Sequence, residues 1–187
     1  DWFVRSLGVV LVAALLHMVL ATQNPLEHHG TYPLPESQRD RFTLRLSLGY
    51  ADAEVESNLL AEPQAVDPVQ PKTVASPEEV RQAQTEAAAV FVHADLAAYA
   101  QRVVAATREH ASIRLGVSTR GALAWIRAAR ARAWLDGRSQ ISIDDLQELA
   151  EVALAHRLVV SSATDGSAHA ASSDLIRELV ATVPVPR

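Results

Sequence analysis

The sequence contains no cysteine. That absence removes disulfides, thiolate zinc sites and cysteine nucleophiles together, and it fits a reducing compartment such as the cytoplasm. Lysine is almost as scarce. Sixteen of the seventeen basic residues are Arg, and the one Lys, Lys72, sits between Pro71 and Thr73. A phosphate-cradling P-loop requires Gly-Lys-Ser/Thr, so the sequence holds none. Aromatics make up 5% of the chain, while Ala is abundant, a balance that favours helices packed through small side chains. An excess of basic charge is also missing. The net charge is -5, whereas a general nucleic-acid binder is normally basic, so no nucleic-acid partner is expected. With 187 residues, 49% hydrophobic and 21% charged, the chain fits one domain, or one domain with part of another.

Leu7–Ala21 is apolar except for His17. It falls short of the about 20 residues that a spanning helix needs, and Asp1 with a lone Arg5 makes a poor basic leader for a signal peptide. Membrane association through residues 7–21 and a buried strand ending at Met18–Ala21 both stay open. The chain then turns at Thr22-Gln23-Asn24-Pro25, because Pro25 forces Asn24 out of the helical region. Asn24 is either a polar amide at a strand tip, where open α/β sheets bind ligands, or a simple turn residue. His28 and His29 are adjacent and would point apart on a strand, so no metal site is expected from them. Glu36 and Asp40 are interleaved with Arg39 and Arg41 and read as solvated helix charges.

Pro35–Phe42 can form a short helix that delivers Arg41 at its far end. Phe42, Leu44, Leu46 and Leu48 alternate with Thr43, Arg45 and Ser47, the period-two pattern of a half-buried strand. A short helix over 51–61 precedes a Pro-rich linker, residues 62–76. Ser76-Pro77-Glu78-Glu79 is a strong helix start, and from there the pattern is helical: 77–90, then 95–110 with Leu96, Tyr99, Ala100, Val103 and Val104 along one face. A third helix is capped by Ser118 or Thr119 and closed by Asp136-Gly137. A fourth is capped by Ser142 with Asp145, and a last lies near 173–181. Amphipathic helices joined by short turns make a bundle. The third helix carries Arg120, Arg127, Arg130 and Arg132. The later three read as a solvated face; Arg120, in the first turn, stands where backbone donors and a guanidinium can meet one anion.

Several motifs occur together and in order: ATQNP (21–25), GTYPLPESQRDRF (30–42), LSLGY (46–50), RLGVSTRGALAWIRAARARAWLDGR (114–138), IDDLQELAEVALAHRL (143–158) and VPVP (183–186). With these the chain from Met18 onward resembles the C-terminal half of MoxR-family AAA+ ATPases, the group that includes RavA-like proteins. The resemblance implies a mostly α fold: residues 18–61 as the edge of a P-loop-type α/β AAA+ core, then 77–187 as a C-terminal helical-bundle lid domain. It lends Asn24 the role of sensor 1, Arg41 that of an arginine finger reaching a neighbouring subunit, and Arg120 that of sensor 2. ATP and Mg²⁺ are the cofactors it implies for the complete family protein. It also implies a ring of like AAA+ subunits, chaperone-like remodelling of clients, and von Willebrand A-type partners.

Departures from the family pattern are Ser37-Gln38-Arg39, where Ala-Gln-Leu is usual, and Gly-Val-Ser-Thr-Arg-Gly (116–121), where Gly-Ala-Ser-Pro-Arg-Ala is common. Neither removes a phosphate-contacting group. Walker A is missing, and the apolar run ending at His17 lacks the Asp-Glu of Walker B. Residues 1–17 do not match what precedes ATQNP in the family, as a frameshift or truncation joined at Met18 would produce. Hydrolysis by this chain alone is therefore not expected. Two further classes stand beside the ATPase reading: a non-catalytic helical interaction module tethered by residues 7–21, and an Arg-helix nucleic-acid binder.

Overall fold

The structure, a computed structural model, describes residues 18–22, 34–61, 72–161 and 168–186. Seven helices are found among them: α1 (Glu36–Arg39), α2 (Ala53–Ala61), α3 (Pro77–Ala89), α4 (Ala94–Glu109), α5 (Thr119–Leu135), α6 (Ile143–Leu154) and α7 (Ala168–Thr182). A 3₁₀ turn, Ala155–Arg157, continues α6. Strands β1 (Ile113–Leu115) and β2 (Val159–Val160) pair antiparallel across a bulge.

Local chemistry sets the helix ends. Ser76 accepts from Glu79 N at 3.2 Å while the Glu79 carboxylate accepts from Ser76 N at 2.7 Å, and Pro77 opens α3. Ser142 and Asp145 make the same reciprocal box at α6, and Ser118 Oγ accepts from Gly121 N at 3.0 Å to start α5. Each satisfies donors that a helix start leaves unpaired. α5 ends in a Schellman turn. Arg138 N donates to Ala133 O at 2.8 Å and Gly137 N to Trp134 O at 2.9 Å, with Gly137 at φ +70°, a conformation only glycine adopts cheaply.

The core lies between α4, α5, α6 and α7. Tyr99, Val103, Trp125, Leu146, Leu154 and Ile176 are fully enclosed. The polar atoms they bring inside are satisfied: Trp125 Nε1 donates to Leu146 O at 2.9 Å and Tyr99 OH to Val180 O at 3.1 Å. Emptying the Trp125 site by truncation to Ala would cost about 3–5 kcal/mol. α3 buries no residue and is held to α5 by edges, through Trp134 Nε1 to Glu86 (3.0 Å) and Arg130 to the Ala88 carbonyl (3.0 Å).

Two sequence expectations fail. Residues 42–50 form no strand: alternation suits a strand, but a strand needs a partner edge. Among the described residues the segment runs beside α6, which offers it one backbone bond, Arg45 N to Val152 O at 2.9 Å. Leu46 and Leu48 are left 70% and 98% exposed. Met18–Ala21 is likewise irregular and exposed rather than a buried strand end. No helix among the described residues is long and apolar enough to cross a membrane; residues 1–17, most of the tether considered above, lie outside the described residues.

Candidate functional site

The turn after α1 is where distant parts of the chain meet. The Pro35 carbonyl accepts from Gln38 N (2.9 Å) and Arg39 N (3.0 Å), which starts α1. After one turn, Arg41 N and Phe42 N fold back onto Gln38 O and Arg39 O at 3.1 Å. The carbonyls of Asp40, Phe42 and Thr43 then face the helical bundle, and the bundle supplies their donors.

Arg157 is the main donor. Its side chain is 2% exposed, and all three guanidinium nitrogens are used. Nε donates to Asp40 Oδ1 at 3.1 Å; Nη2 donates to Phe42 O at 2.6 Å and Asp40 O at 3.3 Å; Nη1 donates to Thr43 O at 3.3 Å and to Ala153 O. Burial pulls the Arg157 pKa down, and the Asp40 carboxylate opposes that pull; the group stays charged. Removing one partner of a buried ion pair strands the other charge, which costs about 3–5 kcal/mol. His156 adds a second tie, its Nε2–H donating to Phe42 O at 3.1 Å. Burial first, then the neighbouring Arg157, lowers the His156 pKa to about 4, so the ring is neutral near pH 7.

Asp40 also reaches the start of α5. Ser118 Oγ donates to its two carboxylate oxygens, each at 3.0 Å, while capping the helix. One carboxylate therefore joins the turn, the 3₁₀ segment after α6 and the N-terminus of α5. A carboxylate at a helix N-terminus is also favoured by the macrodipole. The approach to Ser118 is fixed from α4: Val117 N donates to Thr107 Oγ1 (3.0 Å) and Arg108 Nε to Val117 O (2.9 Å). Gly116 permits the close pass, since a Cβ there would stand 2.8 Å from Thr107 O and Arg108 Cα.

Two residues singled out by sequence flank this bridge. Arg41 follows Asp40, and Arg120 is the second residue of α5 after Ser118; both are exposed and neither forms an ion pair among the described residues. The third, Asn24, lies outside the described residues, as do His28 and His29. Asp40 was expected to be a solvated charge and is instead the centre of the bridge; Glu36 forms an exposed pair with Arg114 at 3.0 Å. Of the later arginines of α5, Arg130 bonds the Ala88 carbonyl, and Arg132, exposed as expected, pairs with Asp136 at 3.2 Å on the solvated face. Arg157 and His156 escaped notice in the sequence. Their signal was position: Arg157 continues the row of Ala150, Ala153 and Leu154, an inward-facing helical face where a charge has to have a partner.

Comparison with known proteins defines the class. The profile described as "AAA lid domain" matches residues 105–179, and that described as "ATPase family associated with various cellular activities (AAA)" matches residues 8–44. Arg120 falls in the first range, Asn24 and Arg41 in the second. The second match begins at residue 8, so family likeness extends upstream of Met18 into residues that the motifs had set apart.

Among individual relatives, the chain is 37% identical over 169 residues to the uncharacterised protein YeaC of Bacillus subtilis, covering 90% of this chain and 52% of YeaC. It is 37% identical over 180 residues to the chaperone MoxR1 of Mycobacterium tuberculosis, covering 91% and 47%. It is 33% identical over 193 residues to the protein MoxR of Paracoccus denitrificans, covering 90% and 56%. The crystal structure of a candidate ATPase from Cytophaga hutchinsonii superimposes with a TM-score of 0.74 at 29% identity, covering 88% of this chain and 53% of that one. The chain belongs to the MoxR-type AAA+ ATPases, and is mostly α with an AAA lid domain. It spans about half the length of the relatives it matches.

Proposed function

We propose that this chain supplies the arginine finger, sensor and lid elements of a MoxR-type AAA+ ring that couples ATP hydrolysis to chaperone-like remodelling of other proteins. The observation that carries the reading is the turn at Asp40-Arg41-Phe42. Arg41 is exposed between two residues that are tied down by buried donors. A guanidinium held at its backbone and free at its tip suits a group that reaches out of its own subunit. Placed on a transferring phosphoryl group, it stabilises charge that develops in the transition state. Family members in closed rings place such a residue at the neighbouring subunit's nucleotide.

Arg120 is read as sensor 2 and Asn24 as sensor 1, the amide that orients the attacking water. The Asp40–Ser118 bridge ties the turn that carries Arg41 to the helix start that carries Arg120. The donor set fits outer contacts to phosphate: two exposed guanidinia beside a helix start. When bound, Mg²⁺-ATP would supply the phosphoryl group and the metal charge; Asn24 would place water at its own subunit's nucleotide, Arg41 would neutralise charge on the neighbour's, and Arg120 would add a second guanidinium to a bound phosphate. A phosphate cradle of the Gly-Lys-Ser/Thr type is not encoded here, so the purified chain should not turn over ATP. Proteins with von Willebrand A-type domains are the partners the family suggests.

The test uses a full-length MoxR relative. Replacing the Arg that matches Arg41 by Ala should abolish ATP hydrolysis and leave ATP affinity unchanged. Unchanged turnover would reject the finger assignment. ATP turnover at an ordinary enzymatic rate by the 187-residue chain would reject the reading of its missing pocket.

A further inference from the structure

We propose that Arg157 is a positioning residue for Arg41, and that with Asp40 it forms a link through which the position of the lid sets the placement of the finger. The inference rests on the reading of Arg41 given above. Neither Asp40 nor Arg157 contacts the phosphate in that reading; their role is mechanical.

Three observations carry it. Arg157 is buried in the lid yet spends four of its five donations on Asp40, Phe42 and Thr43, residues 114–117 positions away in sequence. Asp40 returns the contact at a second lid element, the N-cap of α5, through Ser118. Phe42 O is held from both sides, by Arg157 Nη2 at 2.6 Å and His156 Nε2 at 3.1 Å. Arg41 is thus gripped at the residue before it and the residue after it, both times by the lid. A stability role alone would not require the grip to converge on the two neighbours of one exposed arginine.

The consequence is a two-ended lever. Ser118 joins Asp40 to the helix turn that carries Arg120, and Arg157 joins Asp40 to the end of α6. A displacement of the lid that moves Arg120 has to move the Asp40–Phe42 backbone with it, because Asp40 is hydrogen-bonded to both Ser118 and the buried Arg157. Coupling of this kind needs a contiguous element that both sites bias, and the Asp40 carboxylate is that element.

The absence of native cysteine makes the link measurable on this chain. Spin labels at Gln38→Cys and Leu123→Cys, both exposed positions, leave Arg41 and Arg120 intact and report the distance from α1 to α5. The native background should give one narrow distance distribution. Asp40→Ala should broaden it severalfold at a temperature where the lid keeps its native helicity, although stranding the buried Arg157 charge lowers the thermal midpoint. Asp40→Asn, which keeps an oxygen for Ser118 and Arg157 Nε, should restore the narrow form. An unchanged distribution in Asp40→Ala overturns the link.

In a full-length relative, Ala at the position matching Asp40 should lower kcat at least tenfold with KM for ATP unchanged; equal losses in both would mark a merely structural role and overturn the positioning claim. The two readings fail separately. If Ala at the Arg41 position leaves turnover intact, the finger assignment is lost while the distance result stands. If the distance does not respond to Asp40, the link is lost while the finger assignment stands.

Discussion

Gly116→Ala tests whether the approach to α5 is as tight as the structure shows. The added Cβ would meet Thr107 O, Arg108 Cα and Arg108 Cγ, each at 2.8 Å. Two of these are backbone atoms of α4, so no side-chain rotation relieves the contact. Overpacking of this kind costs about 1–3 kcal/mol. Moving the 116–117 segment away from α4 also stretches the buried bond from Val117 N to Thr107 Oγ1 (3.0 Å), a loss of about 1 kcal/mol or more. Against these stands a gain of about 0.4–1 kcal/mol from a less flexible unfolded chain. The balance is a destabilisation of about 2 kcal/mol. For a domain of this size that is a fall in Tm of roughly 10 °C, at about 4–8 °C per kcal/mol. Thermal and urea unfolding followed by the fluorescence of enclosed Trp125 would measure it. A variant as stable as the native chain, or more stable, would refute the reasoning.

Two predictions concern pH. Burial raises the pKa of Asp145, but its bonds to Arg138 (2.6 and 2.7 Å) and Ser142 outweigh that and hold it below the usual carboxylate range. Its contribution is complete at neutral pH and is lost as pH falls below that range; Asp145→Asn should therefore cost about 2 kcal/mol at pH 7, with the two unfolding curves converging as pH falls below the usual carboxylate range. His156, enclosed by Arg157, Arg45 and His169 and bonded to Phe42 O, has a folded pKa near 4 against 6.5 unfolded. The unfolded chain therefore binds the extra proton between those values, and stability that is full above about pH 6.5 should decline as pH falls toward 4. Replacing it in His156→Gln should flatten that decline, and an unchanged pH profile would show that His156 is not the group responsible.

Much of the bundle was legible because its determinants are local. The Ser76–Glu79 and Ser142–Asp145 boxes, the Ser118 cap and the Asp136-Gly137 close each act within a few residues, and Tyr99, Ala100, Val103 and Val104 mark the inward face of α4 by spacing alone. What stayed hidden was non-local. Asp40 looked like a solvated charge because its partner is 117 positions away, and no period in the sequence connects them. The apparent strand at 42–48 was misread because alternation records which faces suit burial and does not supply a pairing edge. Arg41 and Arg120 were found as isolated candidates; the contact that joins their supports, Asp40 to Ser118, needed coordinates.

The central claim is that Arg41 acts on a nucleotide held by another subunit. Its most direct test is subunit mixing in a full-length MoxR relative. One variant carries Ala at the position matching Arg41, and the other lacks the residue that holds Mg²⁺ in its own pocket. Each should be inactive alone. Mixed rings should recover a substantial fraction of native ATPase activity, because intact fingers then meet intact pockets across subunit boundaries. No recovery in rings shown to be mixed would contradict a finger that works in trans.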